Sequence, residues 1–226
     1  MDHDNSQDDI CMVLLIMNCL KYDFKADKQK RTWLRGLQFP YYHVLGDPDL
    51  EDDYVFQDSK KLLWVKTEDD YKSLPKKVIA SYEAVKKRFC DLEYVLKTDD
   101  DQIIQSDKPI AFFQRIHSML NKSRGEGKHI HYAGNIVNVN QAYLSQYHQI
   151  HPELPREIPV LPTKYCSGRF YILSKDAIED LLKKKNYIEK EFLEDYAIGY
   201  YLDDSFKTTM KHLPTSVFFR DYDDKS

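Results

Sequence analysis

Lys97-Thr98-Asp99-Asp100-Asp101 sets three consecutive carboxylates directly behind the β-prone run Leu92 to Leu96, and Gln102-Ile103-Ile104 resumes apolar character at once. Like charges this close repel, so the arrangement persists readily only where a cation or a hydrogen-bond network offsets it. In an extended segment Asp99 and Asp101 project to one side and Asp100 to the other. Two converging carboxylates are hard oxygen ligands that suit Mg²⁺ or Mn²⁺, ions that complete their shell with water and substrate phosphates. A solvated, helix-capping turn could use the same residues, but a turn kept only for solubility has no reason to sit between two apolar runs. A second acidic pair, Glu194-Asp195, opens the helical stretch Leu193 to Leu202. There it would either complement the helix dipole or face a substrate.

These groups need a scaffold. Met12 to Met17 is a continuous apolar run, as expected for a strand covered on both faces. Tyr41 to Leu45, Tyr132 to Val139 and Phe170 to Leu173 read as further strands, and Leu50 to Ser59, with its four acids, reads as an exposed loop. Pro75 followed by Val78, Tyr82, Val85 and Phe89 predicts one helix. Asp107, Pro109, Ile110, Phe113, Ile116 and Leu120 predict another, and Ser174 caps a third that runs through Ile178, Leu181 and Leu182. Tyr143 to Thr163 is a proline-rich connection. Strands alternating with helices make an α/β protein, with the acids at the carboxyl end of a strand, where open α/β sheets place ligands.

Composition narrows the class. In 226 residues, 42% are hydrophobic and 31% charged, which is too apolar for a disordered chain. Lys and Arg number 33 against 37 Asp and Glu, so no basic excess points to nucleic acid. The apolar run from Cys11 to Cys19 is far short of the ~20 residues that span a bilayer. Asp2, Asp4, Asp8 and Asp9 precede it, the wrong charge for a signal peptide. The four cysteines form no CxxC pair, which fits a reducing compartment. No internal repeat or linker breaks the chain after a polar, acidic, flexible start at residues 1–9, so residues 10–226 read as one domain.

The motifs, taken together, resemble those of glycosyltransferase family 31, the β1,3-galactosyltransferase and β1,3-N-acetylglucosaminyltransferase group that includes the Fringe proteins. Arg31-Thr32-Trp33 is similar to its R-T-W element, Val44-Leu45-Gly46 to its V-L-G, and Asp58-Ser59 with Leu62 and Lys66-Thr67 to its D-S-Y-x-N-L-x-x-K-T. Lys97 to Asp101 matches K-T-D-D-D, the group's version of the DxD motif. Tyr165, Ser167, Gly168 and Tyr171 match Y-x-S-G-x-x-Y, and Glu194-Asp195 with Gly199 matches E-D-V-x-x-G. The matches run in family order from about Lys30 to Leu202. Tyr196 stands where Val is common, and Lys60-Lys61 replaces Tyr-x-Asn.

The resemblance implies a GT-A fold, a Rossmann-like central mixed sheet flanked by helices. It implies a metal-dependent inverting transfer of a hexose of the galactose or N-acetylglucosamine type from a UDP-sugar to a sugar hydroxyl, forming a β1,3 linkage. Asp99 and Asp101 would hold Mn²⁺ or Mg²⁺, with His212 completing the shell unless it is an ordinary surface histidine. Arg31, Lys97, Asp99 and Asp100 would serve the donor end. Asp195 would be the catalytic base, and Tyr165, Gly168 and Glu194 would shape the acceptor side. A GT-A transferase with another donor or linkage, or a non-catalytic glycan-binding relative, are the competing expectations. The partners implied are a UDP-sugar and a glycan or glycosylated acceptor. The location implied is cytoplasmic, in a viral or microbial setting, if the chain is complete, and the Golgi lumen if it was clipped from an anchored protein.

Overall fold

All six side chains of the strand β1 (Met12–Met17) are buried, because a parallel neighbour lies on each side and packed layers lie above and below. A computed structural model of the protein describes residues 10–104 and 109–222. After β1 come α1 (Asp23–Arg31), β2 (Tyr41–Gly46), β3 (Tyr54–Gln57), β4 (Leu62–Val65), α2 (Leu74–Arg88), β5 (Tyr94–Asp99) and β6 (Gln102–Ile104). Then follow α3 (Pro109–Gly125), β7 (Tyr132–Val139), β8 (Tyr143–Ser145), β9 (Ile158–Val160) and β10 (Thr163–Ser174). The remaining described elements are α4 (Lys175–Lys183), α5 (Lys185–Ile188), α6 (Glu194–Tyr201), α7 (Asp204–Lys207), β11 (Lys211–His212), α8 (Thr215–Phe218) and β12 (Phe219–Asp221).

The main sheet has eight strands in the order β11-β7-β10-β5-β1-β2-β4-β3. Strands β5, β1, β2 and β4 run parallel, while β10 joins β5 antiparallel and β3 joins β4 antiparallel, so the sheet is mixed. On one face Val13, Leu15, Val95 and Leu173 pack under Val78, Tyr82, Ile178 and Ala197 of α2, α4 and α6. On the other face Leu14, Ile16, Leu96 and Ile172 meet Phe112, Phe113 and Ile116 of α3 together with Trp33 and Phe219. The two cores share one sheet, which makes a single α/β domain.

Most expected elements form. Pro75 lies in the first turn of α2, and Ser174 accepts the Ala177 N–H at 3.2 Å to cap α4. In α3, Phe113, Ile116 and Leu120 face inward as expected, but Ile110 is exposed and Phe112 takes the core position instead. The Asp107 cap lies outside the described residues. The stretch from Leu50 to Ser59 is not all loop: three of its four acids fall at residues 51–53, and Tyr54 and Phe56 then alternate onto the core as β3. Phe170 to Leu173 is the far end of β10, whose twelve residues also include part of the proline-rich connection. Among the described residues, no helix is long and apolar enough to cross a membrane.

His43 is fully buried in β2, and neither ring nitrogen has a hydrogen-bond partner among the described residues. Burial pulls its pKa from 6.5 down to about 3, and nearby Lys30 adds to the shift. The unfolded chain therefore takes up the proton first as pH falls. The stability that neutral His43 contributes is complete above 6.5 and drains away as pH drops toward about 3. Urea unfolding should show wild type losing about 2 kcal/mol more than His43→Leu between neutral pH and about pH 5.

Candidate active site

The site grows from the end of β5. Alternation along the strand puts Lys97 and Asp99 on one face and Thr98 on the other, where the Thr98 hydroxyl donates to the Arg169 carbonyl at 2.6 Å. The Lys97 side chain is buried, and its ammonium has three donors for three acceptors: Asp99 Oδ1 at 2.7 Å, Glu194 Oε2 at 2.9 Å and the Gly168 carbonyl at 3.0 Å. Burial alone would pull the lysine pKa down, but Asp99 and Glu194 outweigh it and hold the cation well above its ordinary value.

Gly168 is where β10 leaves its ladder. Between the Cys166/Ile136 and Tyr171/Gly134 pairs, β10 advances five residues while β7 advances two. A bulge of this kind re-aims backbone groups. The Gly168 carbonyl turns to Lys97, and its N–H donates to Asp195 Oδ2 at 2.9 Å. A Cβ on Gly168 would lie 3.3 Å from Lys97 Nζ, 3.5 Å from Asp99 Oδ2 and 3.6 Å from Asp195 Oδ2. The acidic turn and the carboxylate of α6 therefore face one small gap. Gly199 brings α6 that close, since any side chain there would collide with Tyr165.

Burial raises the Asp195 pKa against the lowering pull of Lys97 and of the N–H groups of Gly168 and Tyr196. Burial also lifts Asp99 to about 6 despite Lys97, with Glu194 and Asp101 adding to the rise. Asp100 rises to about 7 by burial, opposed by the Lys25 ammonium 3.5 Å from its carboxylate.

Three segments remote in sequence hold the acidic turn. The Gln29 side chain, fully buried in α1, donates to the carbonyls of Asp99, Asp100 and Gln102 at 3.3, 3.0 and 2.9 Å. The Asp100 N–H donates to the Met17 carbonyl at 3.0 Å. Strand β12 pairs with β6, and Asp221 Oδ1 accepts from Gln102 Nε2 and from the Arg169 guanidinium, each at 2.9 Å.

The structure brings Lys97, Asp99, Gly168, Glu194 and Asp195 together and sets Asp101 and Asp100 beside them. Asp100 turns to Lys25 on α1, away from the Gly168 gap. Tyr165 meets Tyr196 edge-on, with Asp195 close enough to raise its pKa after burial. The resemblance puts Glu194 against acceptor or donor hydroxyls. Instead it is buried, with one oxygen on Lys97 and the other accepting from the Tyr171 hydroxyl, so it supports the site from behind.

Two expected residues stand apart. The Arg31 side chain is 80% exposed and lies 3.7 Å from Asp27 on its own helix. His212 pairs across β7 and β10 with the row that ends at Lys97, three strand spacings away, which puts its backbone roughly 14 Å from that of Lys97. Its Nδ1 accepts from the Ile136 N–H at 3.4 Å. The sequence pattern singles out neither Gln29 nor Lys25, and it marks Tyr82 only as part of a buried helix face. An uncharged amide amid the charges of Asp23 to Arg31 is the one signal that marked Gln29.

Among the described residues, no group of three or more His, Cys, Asp or Glu side chains is arranged to hold a metal ion. The donor set at the turn still suits Mg²⁺ or Mn²⁺. Asp99 spends Oδ1 on Lys97, and Oδ2 makes no hydrogen bond among the described residues. Asp101 spends one oxygen on Gln102. One or two free carboxylate oxygens are what these ions take from a protein when phosphates supply the rest.

A mixed α/β sheet with this geometry belongs to a known class of fold. It aligns with the solved structure of a glycosyltransferase involved in the glycosylation of the major capsid of PBCV-1, at a TM-score of 0.51 and 13% identity, over 90% of this chain and 82% of the other. A galactosyltransferase family profile matches residues 28–214, and the chain belongs to that family. It is 24% identical over 237 residues to UDP-GalNAc:beta-1,3-N-acetylgalactosaminyltransferase 1 of Homo sapiens, and 23% identical over 239 residues to that of Mus musculus. Each alignment covers 96% of this chain and 67% of the relative. The protein is a glycosyltransferase, and the family implies a sugar donor and a glycan acceptor.

Gly168→Ala tests the gap directly. The nearest atom to the added methyl is the Lys97 ammonium at 3.3 Å, which must yield by a few tenths of an ångström. The variant should melt within a few degrees of wild type yet lose about 10-fold or more in turnover, since small displacements of reacting groups are costly.

Proposed function

We propose that the protein is a metal-dependent inverting hexosyltransferase that moves a galactose- or N-acetylhexosamine-type sugar from a UDP-sugar to a hydroxyl of a glycan acceptor, forming a β1,3 linkage. The observation that carries this reading is the convergence of Asp99 Oδ2 and Asp195 Oδ2 on the gap at Gly168. The names of the curated relatives, which specify UDP-GalNAc and a β1,3 product, support the donor class and the linkage.

The chemistry follows from the charges. Asp195 accepts the proton of the acceptor hydroxyl as that oxygen attacks the anomeric carbon. The bond from that carbon to the diphosphate oxygen breaks, and its electron pair leaves with UDP. Attack opposite the leaving group inverts the configuration. The raised pKa of Asp195 makes it a stronger base than a solvated carboxylate, while its two backbone N–H bonds fix its direction. Asp99 and Asp101 would hold Mn²⁺ or Mg²⁺, which supplies charge neutralisation for the departing diphosphate. Tyr165 and Tyr71, the latter stacked on His151 with ring centroids 3.7 Å apart, lie near Asp195 and would wall the acceptor side. Tyr71 is close enough to Asp195 and Asp99 for both to raise its pKa, after burial and Tyr147. Arg31 and His212 have no part in this mechanism.

The test is a UDP-sugar panel with Mn²⁺, scoring UDP release with and without simple sugar acceptors. One donor should give acceptor-dependent release, and a blank panel would overturn the reading. Asp195→Asn should bind UDP as wild type does and lose about 100-fold or more in turnover. Asp101→Asn should fold normally and lose both transfer and the response to Mn²⁺; full activity would remove Asp101 from the ion's site.

A further inference from the structure

Behind Glu194 lies a chain of buried hydroxyls that the reaction as described does not use. The Tyr171 hydroxyl donates to Glu194 Oε1, and the Tyr82 hydroxyl lies 2.6 Å from that of Tyr171. Tyr171 comes from β10 and Tyr82 from α2, and both side chains are fully buried. With Glu194 ionised by its contact with Lys97, Tyr171 must donate to the carboxylate, and Tyr82 must then donate to Tyr171. Every hydroxyl proton has one assigned acceptor.

Packing alone does not call for these hydroxyls. Phenylalanine would fill the same core volume, and a buried hydroxyl is costly unless bonded. The neighbouring Tyr132, edge-on to Tyr171 at 6.0 Å, turns its own hydroxyl away to accept the Cys166 N–H at 2.8 Å. Of the three fully buried tyrosines among the described residues, two therefore join their hydroxyls in a chain that ends at Glu194.

We propose that Tyr171, backed by Tyr82, is a positioning residue for transfer, holding Glu194 so that Lys97 and the first turn of α6 set Asp99 and Asp195 across the gap. Two routes carry the constraint. One runs through Glu194 to the Lys97 ammonium, whose remaining donors go to Asp99 and the Gly168 carbonyl, and Gly168 N–H in turn holds Asp195. The other is covalent, because Glu194 immediately precedes Asp195 at the start of α6. Tyr171 touches no substrate in this scheme; it acts by removing the freedom of groups that do.

The inference rests on the transfer reading above, and its test separates the two. Tyr171→Phe, Tyr82→Phe, Glu194→Gln and the double variant Tyr171→Phe/Glu194→Gln are compared with wild type on the donor that the panel identifies. Tyr171→Phe should lower kcat by about 10- to 100-fold with the donor KM within about twofold, the pattern of an interaction that matters in the transition state. Tyr82→Phe, one bond further back, should lower kcat less. The double variant should be no slower than Glu194→Gln alone, because both changes break one linkage. Unchanged kcat in a folded Tyr171→Phe, a loss confined to donor KM, or additive losses in the double variant would each overturn the proposal. Should Tyr171→Phe fail to fold, the same split is read from Tyr82→Phe, and wild-type kcat there would overturn it. A wild-type protein that turns over no donor would overturn the transfer reading, and the positioning role with it.

Discussion

The Lys97 ammonium is held by Asp99, which faces the site, and by Glu194, which supports it from behind. Taking a lysine out of water costs several kcal/mol, and the cost is met only when every donor has an acceptor. Here Asp99, Glu194 and the Gly168 carbonyl use all three. The three acceptors belong to β5, α6 and the bulge of β10, so one side chain joins the segments that carry the acidic turn and the candidate base. Removing such a partner leaves a buried charge uncompensated, a loss of about 3–5 kcal/mol. The site and the centre of the fold are therefore a single electrostatic unit.

That unit is deliberately short of positive charge. Asp99, Asp101, Glu194 and Asp195 stand near one buried lysine, while Lys25 is spent on Asp100. Burial pushes the pKa of Asp99 to about 6 and raises that of Asp195, with neighbouring carboxylates adding to both shifts, and the surplus of negative charge suits the gap to a divalent cation carrying its own phosphate ligands. Holding this much repulsion requires supports from outside the turn. Gln29 gathers three carbonyls from α1, and β12 returns to clamp Gln102 and Arg169 through Asp221. The carboxylates are consequently aimed before any ligand arrives, which is where electrostatic stabilisation draws its advantage.

Local pattern made much of this legible in the chain. Six apolar residues in a row are a doubly covered strand whatever surrounds them, and Val78, Tyr82 and Val85 mark a helix face by spacing alone. The acidic triplet between apolar runs marked the end of a strand, and Glu194-Asp195 marked the start of a helix, while the close approach of that helix to β10 at Gly199 shows only in the fold. The reading went astray where exposure and not periodicity decided. The acids of residues 51–53 masked the alternation of Tyr54 and Phe56, and Ile110 gave up its core position to Phe112.

Residue types and their order determined the scaffold and the presence of two acidic groups, because propensity, alternation and charge repulsion act over a few residues. Tertiary structure alone decided what each charge does. Glu194 and Asp195 are adjacent in the chain, yet one is sealed against Lys97 and Tyr171 while the other meets the gap at Gly168. Arg31 and Gln29 lie two positions apart on one helix, yet the arginine faces solvent and the amide holds the acidic turn. His212, convenient by order, stands three strands from Lys97. Partners in a low-dielectric interior are set by which elements pack against one another, and that follows from the sheet order rather than from any local stretch of sequence.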